Sequence, residues 1–195
     1  MKKTCFSLLL AALGLLIAGS SFAQDKGRAF YKEPYKSRNS GSFDANANVL
    51  TLGYGFPNLS GTDTWNGSFG PAYLKYEHGI ISEVGVGGYI AFSGAHNDYS
   101  HYHDRLGAFS MGFLGYYHFN KLIPLKQLDV YAGAGIGFRI FSYHYDDNRD
   151  SHSDFDPLGL FKVGARWYFT PSFGVYAEGG YDGMSDVNLG VTFRF

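Results

Sequence analysis

Two short stretches of the chain are crowded with His and Asp. One holds His96, Asp98, His101, His103 and Asp104; the other holds His144, Asp146, Asp147, Asp150, His152, Asp154 and Asp156. Imidazole and carboxylate together ligate zinc, copper or nickel, and carboxylates alone hold calcium. His101 and His103 are two residues apart, which puts both rings on one side of an extended chain. The spacing matches no standard metal motif, and a solvated surface loop has the same composition. A metal site would therefore need His96, His101, His103, His144 and His152 to converge from the two stretches.

A second set carries charge: Lys75, Glu77, Glu83, Arg139, Lys162, Arg166, Glu178 and Arg194. These residues interrupt runs that are otherwise apolar, aromatic or glycine-rich. Enclosed charges must be paired or hydrated. Together they would form either a salt-bridge plug or a narrow path for small solutes. Ser110 and His118 are the obvious nucleophile and base, but eight residues of extended chain separate them by about 26 Å. No triad is marked, so no enzyme is expected. No cofactor is expected either: Gly85-Val86-Gly87-Gly88 has no helical pattern behind it, as a phosphate loop requires. With 16 Lys and Arg against 17 Asp and Glu, the chain lacks the basic excess of a nucleic-acid binder.

The elements that position these residues show a period of two. Val187, Leu189, Val191, Phe193 and Phe195 alternate with Asn188, Gly190, Thr192 and Arg194. Successive side chains of a strand point to opposite faces, so this segment has one apolar and one polar face. Similar patterns run over 84–92, 130–140 and 161–169, and weaker ones over 50–56, 68–77, 105–119 and 172–181. That makes about eight strands of a length that crosses a tilted bilayer path. The mature chain shows no helical period. Long connections at 57–67, 93–104 and 142–156 alternate with shorter ones at 78–81, 120–127 and 170–171; the last, 182–186, is short where a long one is expected. The fold class read from this is all-β: a closed antiparallel up-and-down transmembrane β-barrel. Inward glycines at 85, 87, 133, 135 and 137 would make room for larger side chains in its lumen. Aromatics near the strand ends (Tyr117, Phe119, Trp167, Phe169, Phe173 and Phe195 on one side, Phe56, Phe92, Phe141 and Tyr181 on the other) would form the interfacial girdles.

The first 23 residues differ from the rest. Lys2 and Lys3 precede an apolar run from Phe6 to Ala18, and Ser21-Phe22-Ala23 supplies a small-x-small cleavage pattern. This is the pattern of a secretory signal peptide. Ser20 stands where a lipoprotein signal needs Cys. Cleavage would remove Cys5, the sole cysteine, leaving no disulfide to staple the fold. The expected organisation is a signal peptide at 1–23, a polar, flexible periplasmic lead-in at 24–45, and a barrel at 46–195. A ninth strand from 24–44 is the alternative for the lead-in.

Taken together, the signal peptide, the alternation and the ending at Phe195 resemble the small eight-stranded outer-membrane β-barrels, the OmpX-, OmpW- and OmpA-barrel-like proteins of Gram-negative envelopes. The resemblance covers 46–195. It implies that Phe195, Phe193 and Val191 form the signal read by the barrel-assembly machinery, that both termini are periplasmic, and that lipid and lipopolysaccharide surround the wall. The expected role is a non-enzymatic protein with a plugged lumen, serving envelope integrity or surface binding and adhesion through its external loops, with the surface ligand unspecified. The alternatives are a porin-like or OmpW-like transporter of small solutes and, third, a lipid-modifying enzyme.

Overall fold

Alternation in the sequence becomes a two-faced wall. The computed structural model describes residues 42–59, 67–99, 102–144 and 152–195. They form β1 (Asn48–Phe56), β2 (Gly67–Ile81), β3 (Val84–Tyr99), β4 (Tyr102–His118), β5 (Leu128–His144), β6 (His152–Tyr168), β7 (Phe173–Tyr181) and β8 (Val187–Arg194). Each strand pairs antiparallel with the next, and β1 also pairs with β8, so the sheet is a closed barrel. Closure joins β1 to β8 from Val49↔Arg194 to Phe56↔Val187. Residues 1–23, expected to be a signal peptide, and most of the expected lead-in lie outside the described residues.

Outside, the wall carries large apolar side chains all round: Phe113, Ile136 and Phe195 are 69%, 74% and 72% exposed. An uninterrupted apolar belt of this kind is unfavourable in water and suits hydrocarbon. Inside, Tyr73, Lys75, Glu77, Tyr131, Lys162, Arg166 and Glu178 are buried. The expected girdle is exposed at Trp167, Phe169, Phe56, Phe92 and Tyr181. Phe141 corrects it: its ring is inward, beneath the Arg139 guanidinium at 4.3 Å.

The expected long loops at 93–104 and 142–156 are largely strand. Ladder pairs continue through Asn97↔Asp104 and Ser142↔Ser153. Here neither face must meet lipid, so the hydrophobic alternation disappears while the backbone pairing goes on. On the far side, β6 meets β7 only from Phe161 to Tyr168. Its first part, His152–Leu160, has β5 as its ladder partner. Pro157 falls in this stretch, where β6 carries a ladder to β5 alone and is an edge of the kind that tolerates Pro.

The lead-in differs from expectation where it is described. Ser42 and Phe43 are buried, Phe43 to 1% exposure. The strap from Ser42 to Ala47 seals the barrel end where β1 begins and β8 ends. Asn46 donates its N–H to the Gly79 carbonyl at 2.8 Å, and the Gly79 N–H bonds Ala47 at the same distance. Asn120 reaches the Phe43 and Ser82 carbonyls with its side-chain amide at 2.8 and 2.7 Å. Phe43 fits because Gly79 and Gly85 have no Cβ; one added at either would stand 3.1 Å from the ring.

Candidate functional site in the barrel lumen

Strand parity turns β2, β4, β5 and β6 into a four-membered ionic ring just above Phe43. His118 sits between Glu77 and Asp129, with Nε2 2.6 Å from one carboxylate and Nδ1 2.7 Å from the other. Arg166 closes the ring, with Nη1 3.0 Å from Asp129 and Nη2 2.5 Å from Glu77. Both carboxylates face the guanidinium, which requires them as acceptors. With a hydrogen on each ring nitrogen His118 is an imidazolium that donates to both. The ring then balances two anions with two cations. Phe43 lies flat on His118, centroids 3.5 Å apart and 5° from parallel. The Arg166 guanidinium covers Tyr131 at 4.2 Å.

A second cluster lies deeper in the lumen. Lys75 donates to Glu178 at 2.5 Å and to Asn188 at 2.6 Å. Lys162 donates to Asp182 at 2.8 Å and stands 3.8 Å from Glu178. Tyr131 and Tyr176 hydroxyls donate to Glu178 and Asn188, both at 2.9 Å. Two ammonium groups again balance two carboxylates. Asp182 differs from the other three because it belongs to the connection between β7 and β8. Its Oδ1 accepts the N–H groups of Met184 and Ser185 at 2.8 and 3.0 Å. That bonding rolls the connection inward, so Met184 and Ser185 are fully buried. The short connection is thus a lid over the lumen rather than an external loop.

The architecture can now be set beside known proteins. Among solved structures the chain is similar to Ail, the attachment invasion locus protein of Yersinia pestis. The TM-score is 0.51 at 18% identity, over 77% of this chain and 99% of that one. It is similar to the N-terminal β-barrel domain of Pseudomonas aeruginosa OprF, with a TM-score of 0.50 at 16% identity, over 77% and 98%. The fold is that of the small eight-stranded outer-membrane barrels. A further Ail structure, in complex with the heparin analogue sucrose octasulfate, matches at 18% identity with a TM-score of 0.48, over 76% and 94%. No family model and no curated protein matches the sequence.

Within this barrel the charged residues read from the sequence divide. Lys75, Glu77, Lys162, Arg166 and Glu178 meet in the lumen. Arg139 lies nearer the lid end, where it donates to Asp156 at 3.0 Å and to the Gly183 carbonyl. Glu83 does not belong to the lumen. It lies in the turn between β2 and β3, 2.9 Å from the exposed Lys121. The hydrogen bond from Lys121 holds the Glu83 carboxyl below its ordinary range, and Glu83 holds the ammonium above its own. Arg194 faces inward at the very mouth, where it donates to the Pro171 and Ser42 carbonyls and covers Tyr168. Five residues of the lumen escaped the sequence reading as members: His118, Asp129, Asp182, Asn188 and Phe43. His118 and Asp129 do share parity with inward Tyr116 and Tyr131, which is the signal that could have found them.

The histidine set is only partly described. His101 lies outside the described residues. His103 is on β4, in register with Asp98. His96 and His144 each pair with Arg105 on the strand between them, which separates their backbones by about 10 Å. His152 stacks on Tyr143 at 4.6 Å and stands 3.7 Å from Asp154. Among the described residues no group of three or more His, Cys, Asp or Glu is arranged to hold a metal. Ser110 bonds Tyr89 and the Phe138 carbonyl, while His118 is engaged in the ionic ring.

Proposed function

We propose that this is a non-enzymatic barrel of the outer membrane, with a plugged lumen, that acts as a surface-exposed binding or adhesion protein and contributes to envelope integrity. The carrying observation is the reach of β3 to β6 beyond the rest of the wall. Nine residues of β6, His152–Leu160, continue past the end of its pairing with β7, about 30 Å of chain. With the termini in the periplasm, this sheet stands outside the cell, where side chains of any chemistry are free to meet a partner. The likeness to Ail is a likeness of fold; the reading rests on the projecting sheet.

The two neutral ionic clusters, Phe43 below and the lid above support the plug over the transport reading. Charges so fully paired and buried offer no hydrated path. Val191, Phe193 and Phe195, on the outward face of the last strand, would be the segment read by the assembly machinery. The exposed belt would contact lipid and, in the outer leaflet, lipopolysaccharide.

The test pairs solute flux in proteoliposomes with attachment of cells displaying the barrel, using a heat-modifiable gel shift to confirm folding. Folded protein should give no flux above empty liposomes. Replacing 97–104 and 145–153 by tight turns should abolish attachment while the gel shift persists. Size-limited flux through the folded wild type would overturn the plug, and unchanged attachment of the trimmed barrel would overturn the surface role.

A further inference from the structure

Seven of the eight groups in the two ionic clusters are fixed to strands. Asp182 alone arrives on a connection, and its two carboxylate oxygens have different owners. Oδ1 is held by the lid itself, through the N–H groups of Met184 and Ser185. Oδ2 is held by the barrel wall, through the Lys162 ammonium at 2.8 Å and the Tyr73 hydroxyl at 2.7 Å. The wall side is therefore a preformed receptor for one carboxylate. It consists of an ammonium and a hydroxyl, with Lys75 and its Glu178 partner alongside.

If the lid is removed in thought, the charge count changes. Lys75 and Lys162 then face Glu178 alone, which leaves one uncompensated cation in a buried site. Such a site favours an anion strongly. The lid is also built to be separable. Gly180 and Gly183 flank Asp182 with φ of +145° and +75°, backbone conformations that side chains rarely adopt. Among the described residues the lid's other ties are Arg139 to the Gly183 carbonyl, Leu59 N–H to the Met184 carbonyl at 3.0 Å, Gly180 N–H to the Asp186 carbonyl at 2.8 Å, the Ser185 hydroxyl to Tyr73 at 2.7 Å, and the apolar burial of Met184.

We propose that the wall pocket of Lys162 and Tyr73 is a carboxylate-binding site that Asp182 fills in cis, and that a small soluble monocarboxylate takes its place when the lid lifts. The site goes beyond the surface role. It would give the closed barrel a ligand-dependent state in which the external rim opens while the lower ionic ring stays shut. An ammonium and a hydroxyl on one oxygen, with space where Oδ1 now lies, suit a planar two-oxygen anion better than a spherical one.

The experiment has two arms, both on the folded full chain. In the first, Asp182→Ala vacates the site, and the heat-modifiable midpoint is followed with rising acetate and, separately, with chloride at equal ionic strength. Acetate should restore the midpoint with a saturable dependence, chloride should not, and Asp182→Ala/Lys162→Met should show no acetate response. In the second, Asp182 is retained and Ser185→Cys in a Cys5→Ser background reports lid opening by thiol labelling. Labelling should rise about tenfold at saturating acetate, the shift expected when a ligand selects the open state over a closed one. If Asp182→Ala fails to fold, the second arm decides alone. Folded Asp182→Ala with no acetate response, or labelling that follows ionic strength only, overturns the proposal.

Discussion

The two ionic clusters in the lumen have the same charge formula and different construction. The lower one, Glu77, His118, Asp129 and Arg166, closes on itself and draws every member from a strand. The upper one, Lys75, Lys162, Glu178 and Asp182, draws its fourth member from a lid. A strand residue is held by ladder bonds on both sides and cannot leave without opening the barrel. A lid residue leaves by local movement. Identical electrostatics can therefore be permanent in one place and conditional in another, and the backbone decides which.

The largest effect should come from Arg166→Met. It strips Glu77 and Asp129 of their shared donor and uncovers Tyr131, and removing one partner from a buried ion pair costs about 3–5 kcal/mol. Urea unfolding in detergent, read by the gel shift, checks it; a loss below about 1 kcal/mol, the usual worth of an exposed pair, would mean that the lower ring is not the fixed floor described here. Next is Phe43→Ala, which deletes a fully buried ring and lets water reach His118. Phe→Ala in a packed site costs about 3–5 kcal/mol, toward the lower figure for a ring at a mouth. Hydrogen exchange at the His118 ring should accelerate in this variant, and no change would remove the strap from the seal.

Asp182→Asn leaves Lys162 without its carboxylate, but a lid can move aside and let water reach the ammonium, so the cost should be less, about 1–3 kcal/mol for a lost charge-assisted bond. If it costs as much as Arg166→Met, the contrast between fixed and conditional clusters fails. The smallest effect belongs to Glu83 and Lys121, a pair at the surface. The Glu83 carboxyl is lowered in the folded state, so its contribution is present above the ordinary carboxylate range and is lost as pH falls through the lowered value. The Lys121 ammonium is raised, so its share is present below the ordinary amine range and is lost as pH rises through the raised value. Wild type should unfold at a slightly higher midpoint than Lys121→Ala near neutrality, and the two should converge as pH falls through the lowered Glu83 value or rises through the raised Lys121 value.

What the sequence made legible follows from where lipid imposes a rule. Along Val187–Arg194 or Phe161–Trp167 every second residue must be apolar, and the strands are plain. Past the rim, at Asn97 or Ser153, nothing requires alternation, so ladder continued where loops were expected. Inside the lumen the rule is only that residues face inward. Lys75, Glu77 and Arg166 stand out there by charge. His118 and Asp129 sit at strand ends, where they read as interface residues. Phe43 lies in a polar stretch without period, and only the glycines and carbonyls of distant turns define its socket. Glu83 shares parity with the inward residues of β3 but lies one residue before that strand starts, in the turn, where it pairs with Lys121 instead of the lumen. Asp182 is visible only once the lid is seen to fold inward.

The strap has a consequence in time. Its socket joins Gly79 of β2, the Ser82 carbonyl, Gly85 of β3, Asn120 after β4 and Arg194 at the end of β8. No half-made wall offers all of these together, because Arg194 comes within reach of Ser42 only after the first and last strands have zipped. Phe43 is synthesised before any of them, and it has nowhere to rest until the last of them is in place. Its seating is thus a completion mark. A chain with an exposed Phe43 is an unfinished barrel, distinguishable from a finished one at the end that the strap seals.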